Sequence, residues 1–133
     1  MTRSIFIIFG LSIFLCTQCS DEQCDYLCTT EFRTYLVTVI DTLGNPVDSL
    51  HTKVINSRGK EFNFDGITPP PNLVGKYLVM ADRYKKDFTT RQESVIFTGN
   101  KNGHEVSAKF FFNTDECRCH VYKVFGPDTL VLK

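Results

Sequence analysis

From about residue 32 onward, apolar and polar positions alternate in short runs broken by turn residues. Residues 32–41 (FRTYLVTVID) put Tyr35, Val37 and Val39 on one face, the period of a half-buried strand. Leu43-Gly44-Asn45-Pro46 is turn chemistry, and residues 47–56 read as a second strand. Ser57-Arg58-Gly59-Lys60 turns the chain into residues 61–65 (EFNFD), a third short strand with Phe62 and Phe64 on one side. Pro69-Pro70-Pro71 removes three backbone donors and predicts a stiff loop. Residues 76–82 (KYLVMAD) form the next strand, and the polar stretch 83–92 is read as a loop, with a short helix as the alternative. Residues 94–99 and 104–113 flank Asn102-Gly103, a pair suited to the positive φ angles of a type I′ hairpin turn. Residues 118–125 and 129–132 close the series across Gly126-Pro127-Asp128. No twelve residues keep a helical stripe. The pattern predicts an all-β, antiparallel Greek-key sandwich of about seven strands.

The first eighteen residues follow different rules. Arg3 precedes an unbroken apolar run, Ile5 to Leu15. As a helix this run would span only ~17 Å, against a bilayer core of ~30 Å. It is apolar all round, which suits the central region of a signal peptide better than an amphipathic core helix. The run ends in Leu15-Cys16-Thr17-Gln18-Cys19-Ser20-Asp21-Glu22. A cysteine at this place resembles the lipid-acceptor cysteine of bacterial lipoproteins. The acidic residues after Cys19 resemble the surface-export signal of Bacteroidota-type lipoproteins. That resemblance implies a signal peptide over 1–18, lipidation of Cys19, a short acidic tether over 19–23 and a folded domain over 24–133. Gln18 departs from the small residue usual before the lipidated cysteine, and Cys16 is the competing position. Ordinary secretory cleavage, giving a periplasmic or secreted protein, is the alternative. Two or more acyl chains hold a domain to a membrane without any apolar patch of its own.

Loss of Cys16 and lipidation of Cys19 leave Cys24, Cys28, Cys117 and Cys119. An even number in an exported chain predicts disulfides. A Cys117–Cys119 bridge is sterically poor, because alternate residues of a strand lie ~6.6 Å apart along one chain. Two long bridges from the Cys24/Cys28 segment to the Cys117/Cys119 segment are expected, with the pairing open. The competing reading of Cys117-Arg118-Cys119-His120 is a metal or redox site. One intervening residue is tighter than the usual spacing of a zinc cysteine pair, and these four cysteines form no CxxC.

Val37-Thr-Val39-Ile-Asp41-Thr-Leu-Gly44-Asn-Pro46-Val47 resembles the first strand pair of transthyretin-like and carboxypeptidase-regulatory-like domains. Gly75-Lys-Tyr77-Leu-Val79 is similar to the glycine-aromatic strand start of the same group. The resemblance covers roughly residues 35–80 and implies a prealbumin-like sandwich acting as a non-catalytic module. The Thr-Asp-x-x-Gly step usual before the glycine-aromatic strand is replaced by the triple proline, and no functional residue carries over.

Composition changes this picture little. Fifteen basic and fifteen acidic residues in 133 give no net charge, so there is no electrostatic case for nucleic acid. Removal of residues 1–18 takes away one base and no acid, leaving one net negative charge. No GxSxG, HExxH or phosphate-binding glycine loop is present. His51, His104 and His120 are dispersed, and each reads first as an ordinary surface or core histidine. No cofactor is implied. There is no tryptophan, which weakens but does not remove the reading as a secreted carbohydrate-binding module built on tyrosines. Asp41-Thr42-Leu43, Asp48-Ser49-Leu50 and Asp128-Thr129-Leu130 each resemble the O-glycosylation acceptor of secreted Bacteroidota proteins. The same pairs also suit turn capping. Together these features predict a lipid-anchored outer-membrane or cell-surface protein. Its non-catalytic module would bind or support a protein or glycan partner.

Overall fold

The computed structural model describes residues 24, 27–67 and 73–133. The expected signal peptide over 1–18, Cys16, Cys19, the expected acidic tether over 19–23 and the triple proline lie outside the described residues. No described helix is long and apolar enough to cross a membrane.

Seven strands form two packed sheets: β1 (Thr34–Ile40), β2 (His51–Asn56), β3 (Lys76–Ala81), β4 (Glu93–Lys101), β5 (His104–Thr114), β6 (Val121–Phe125) and β7 (Thr129–Val131). One sheet has the order β3-β1-β7 and the other β2-β4-β5-β6. All pairs are antiparallel except β1 with β7, which run parallel from Thr38–Thr129 to Ile40–Val131. The protein is an all-β sandwich, and its core follows from the alternation. Val37 and Val39 of β1, Val79 of β3, Val95 and Phe97 of β4, and Phe110 and Phe112 of β5 are all at most 1% exposed. The aromatic triplet splits as a strand requires. Phe110 and Phe112 point inward, while Phe111 lies on the other face beside Phe125, centroids 6.4 Å apart. Asn102 and Gly103 take φ 54° and 84° at the β4–β5 hairpin, the signs a type I′ turn needs.

Four local expectations need correction. Residues 61–65 are not a strand. Only Glu61 bridges to Ile55, and the Asn63 side chain takes the Asp65 amide at 2.7 Å, drawing the segment into a turn. The second strand begins at His51 rather than residue 47. Ser49 has φ 53°, and the Leu50 amide donates to the Tyr77 hydroxyl at 3.2 Å instead of a neighbouring strand. The polar stretch after β3 starts as a 3-10 helix, Asp82–Asp87, too short to leave a periodic stripe. The penultimate strand begins at Val121, not Arg118. Arg118 lies at φ 51° in a turn whose amides donate to Asp115: Arg118 to its carbonyl at 3.0 Å and Cys119 to its carboxylate at 2.9 Å.

Two glycines are set by close approach. Gly75, at φ 75°, lets β3 start against β1: its carbonyl accepts the Val39 amide at 2.7 Å, and an added Cβ would meet the Pro46 Cβ at 2.7 Å. Tyr77, two residues on, donates its hydroxyl to the Val47 carbonyl at 2.7 Å. Gly126, at φ 145°, faces the Phe110 ring, which an added Cβ would meet at 2.2 Å. Phe110 is 1% exposed and held in the core, so the ring has no free space to retreat into. Gly126→Ala is therefore expected to cost about 3 kcal/mol, from overpacking and backbone strain together. Gly59→Ala, with nothing within 4 Å of its added atom, is expected to cost about 1 kcal/mol, from its positive φ alone. Urea unfolding of the two variants checks the difference.

Candidate functional site

The densest polar constellation among the described residues lies where the N-terminal segment crosses the start of β6. Its centre is Asp82, the first residue of the 3-10 helix and 5% exposed. Its Oδ2 accepts the Arg33 amide at 2.8 Å and bonds His120 Nδ1 at 2.7 Å. Its Oδ1 accepts the Val121 amide at 2.8 Å. The Asp82 amide in turn donates to the Arg33 carbonyl at 3.0 Å. One carboxylate thus joins the entry of β1, the exit of β3 and the entry of β6. Burial alone would raise its pKa. The hydrogen bonds from His120 and the two amides, with the attraction of His120, outweigh it and hold the carboxyl below the usual aspartate range.

His120, also 5% exposed, bridges inside to outside. Its Nε2 lies 2.7 Å from Thr29 Oγ1, on an exposed residue. With Asp82 ionised, Nδ1 carries the proton toward the carboxylate. In the tautomer assigned from this network, Nε2 of a neutral imidazole accepts from the Thr29 hydroxyl. The result is a continuous chain, Thr29 to His120 to Asp82. It borders a cavity of about 200 Å³ lined by Leu27, Arg33, Asp115, Tyr122 and the Cys28–Cys119 bridge. The Arg33 guanidinium stacks 4.7 Å above the Tyr122 ring and lies 3.2 Å from the Glu31 carboxylate.

Two disulfides pin this region. Cys24 is bonded to Cys117 and Cys28 to Cys119, with Cα separations of 5.4 and 5.2 Å. The positive φ at Arg118 breaks the strand between the two cysteines, so each meets its own partner. Lys85 of the 3-10 helix donates to the Cys119 carbonyl at 3.1 Å. With both sulfurs in disulfides, Cys117 and Cys119 offer no thiolate to a metal, and both ring nitrogens of His120 are engaged. No group of three or more His, Cys, Asp or Glu suited to a metal occurs among the described residues.

The other candidate residues lie apart from this centre. Thr42 sits on an exposed turn capped by Asp41, whose Oδ1 accepts the Leu43 and Asn45 amides at 2.8 Å each. The bonds from Asn45, Leu43 and Gly44 hold the Asp41 carboxyl below its usual range. Leu43, beside Thr42, is 84% exposed. Ser49 and Thr129 are exposed, but the leucine after each is partly buried against the core. Asp48 pairs with Lys101 at 2.6 Å, and Asp128 pairs with Lys123. His51 is exposed on β2, and His104 bonds the Lys133 carbonyl at 2.8 Å. A wider, open groove of about 540 Å³ runs between β2 and residues 61–65, lined by Thr52, Glu61, Asn63, Phe64 and Asp65 among others.

Sequence reasoning singled out His120 and the cysteines but neither Asp82 nor Thr29. These partners lie 38 and 91 residues from His120, and no local spacing marks them. The disulfides fit an oxidising, non-cytoplasmic compartment. Comparison with protein-family models, with curated proteins and with solved structures found no match to this chain.

Proposed function

We propose that the chain is an exported lipoprotein, anchored through Cys19 at the outer membrane or cell surface, whose β-sandwich serves as a binding or structural module. The observation that carries this reading is the place of the two disulfides. Cys24 follows Cys19 by five residues and is bonded into the folded domain. Five residues of chain reach at most ~18 Å. A lipid on Cys19 would therefore hold the disulfide end of the sandwich close to the bilayer, with the rest of the domain extending away. The apolar run, the acidic residues after Cys19 and the oxidised cysteines all fit export to such a place. Gly75 lies against Pro46 and Val39, residues of the segments on which the transthyretin-like resemblance rests. Exposed apolar side chains on the β2-β4-β5-β6 sheet, Ile96, Val124 and Phe125, offer surface for a protein partner.

Cys19→Ala is expected to release the protein from the membrane fraction into the soluble fraction. Membrane retention of that variant contradicts the anchor. A second reading, a secreted carbohydrate-binding module, is favoured by the open groove with its amide, carboxylate and phenyl ring. It predicts binding on a broad glycan array that is lost in Asn63→Ala. Silence of the array removes it.

A further inference from the structure

Beyond anchoring and docking, the Thr29–His120–Asp82 chain has the connectivity of an activated hydroxyl. A nucleophile within hydrogen-bond reach of a base, with that base oriented by a third group, is the recognisable arrangement of covalent acyl transfer. Both links here measure 2.7 Å, and the order hydroxyl, imidazole, carboxylate is the productive one. Burial is graded along the chain. Asp82 and His120 are each 5% exposed, while Thr29 faces solvent, so the one member that would meet a substrate is the one within reach. The two backbone amides on Asp82 hold it fixed, so the imidazole cannot swing away from Thr29 without giving up its own bond to an immobile carboxylate. Thr29 is itself held in place by the adjacent Cys28–Cys119 bridge. A purely structural latch would need only to join two segments. It would need neither an exposed hydroxyl on Nε2 nor a cavity beside it.

We propose that Thr29 is an acyl-accepting nucleophile, with His120 as its general base and Asp82 as the positioning residue, acting on short-chain acyl esters. The Thr29 oxygen bonds to the acyl carbon while His120 Nε2 takes the hydroxyl proton. The carbon–oxygen bond to the alcohol then breaks, and the departing oxygen takes that proton from His120. Water repeats the sequence on the acyl-threonine, releasing the acid and restoring Thr29. No oxidant, metal or second substrate is required. The cavity of about 200 Å³, walled by Leu27, Tyr122 and the disulfide, suits a small acyl group rather than a long chain. Arg33 is the cation on its wall.

The test uses the oxidised, signal-free chain and p-nitrophenyl acetate, followed by peptide mass spectrometry. The expected result is an acetyl group on Thr29, with its formation slowed at least ~100-fold in His120→Gln. Thr29→Ser is expected to keep the reaction and Thr29→Ala to abolish it, both with an unchanged disulfide map and melting temperature. Because Thr29 is exposed, these two variants separate chemistry from folding even if His120→Gln unfolds. Acetylation confined to lysines, or p-nitrophenolate release that Thr29→Ala leaves unchanged, overturns the proposal.

Discussion

Conversion of Cys24, Cys28, Cys117 and Cys119 to serine is expected to remove about 7 kcal/mol of stability and to leave the domain unfolded at room temperature. The first bridge closes a loop of more than ninety residues, since the cysteines are 93 and 91 apart. In the chain-entropy model such closure contributes about 4.7 kcal/mol. The second bridge then closes only a small ring of about eight residues and adds about 2.5 kcal/mol. A domain of this size has roughly 5–15 kcal/mol in total. Loss of either bridge alone is therefore expected to cost only about 2–3 kcal/mol, because the survivor still closes the long loop. Urea unfolding of both paired variants and of the fourfold variant checks this. Two equal single losses followed by a much larger double loss is the signature. Simple additivity of two small losses contradicts it.

Asp82→Ala is expected to cost about 3–5 kcal/mol, the range for breaking a buried, charge-assisted network. The Arg33 and Val121 amides and His120 Nδ1 all lose their acceptor at once. The effect should spread to β1, β3 and β6 together, visible as faster amide exchange at Arg33 and Val121. The same group sets an acid limit. Its folded pKa lies below its unfolded value of about 3.9. Its stabilisation is therefore fully present above that value and is lost as pH falls through the folded pKa. Wild type should lose stability across that acid window, whereas Asp82→Asn should show a flatter profile there. Equal slopes in the two proteins would mean that Asp82 is not the group responsible.

Strand order and polar network differ in how far they could be read beforehand. Alternation of Val37 and Val39, or of Phe110 and Phe112, is a local property and predicts a core face directly. The Asn102-Gly103 turn is equally local, because its φ signs depend on those two residues alone. Errors occurred where a side chain competes with the sheet ladder. Asn63 takes the Asp65 amide, and Tyr77 takes the Leu50 amide from 27 residues away. The parallel β1–β7 pair was also hidden, since nothing within either strand encodes the direction of its neighbour. The cysteines could be read as long-range partners by elimination, but not which pairs with which. That choice rests on the turn at Arg118, a residue with no intrinsic preference for positive φ. Thr29 and Asp82 carried no signal at all. Each is an ordinary residue until tertiary structure brings it to His120.

The most direct test of the central claim is non-reducing peptide mass spectrometry on the protein taken from its native membrane. The account predicts an N-terminal peptide beginning at acylated Cys19, with Cys24 linked to Cys117 and Cys28 to Cys119. An unmodified N-terminus, or free thiols at those four positions, would contradict the anchored, disulfide-pinned sandwich.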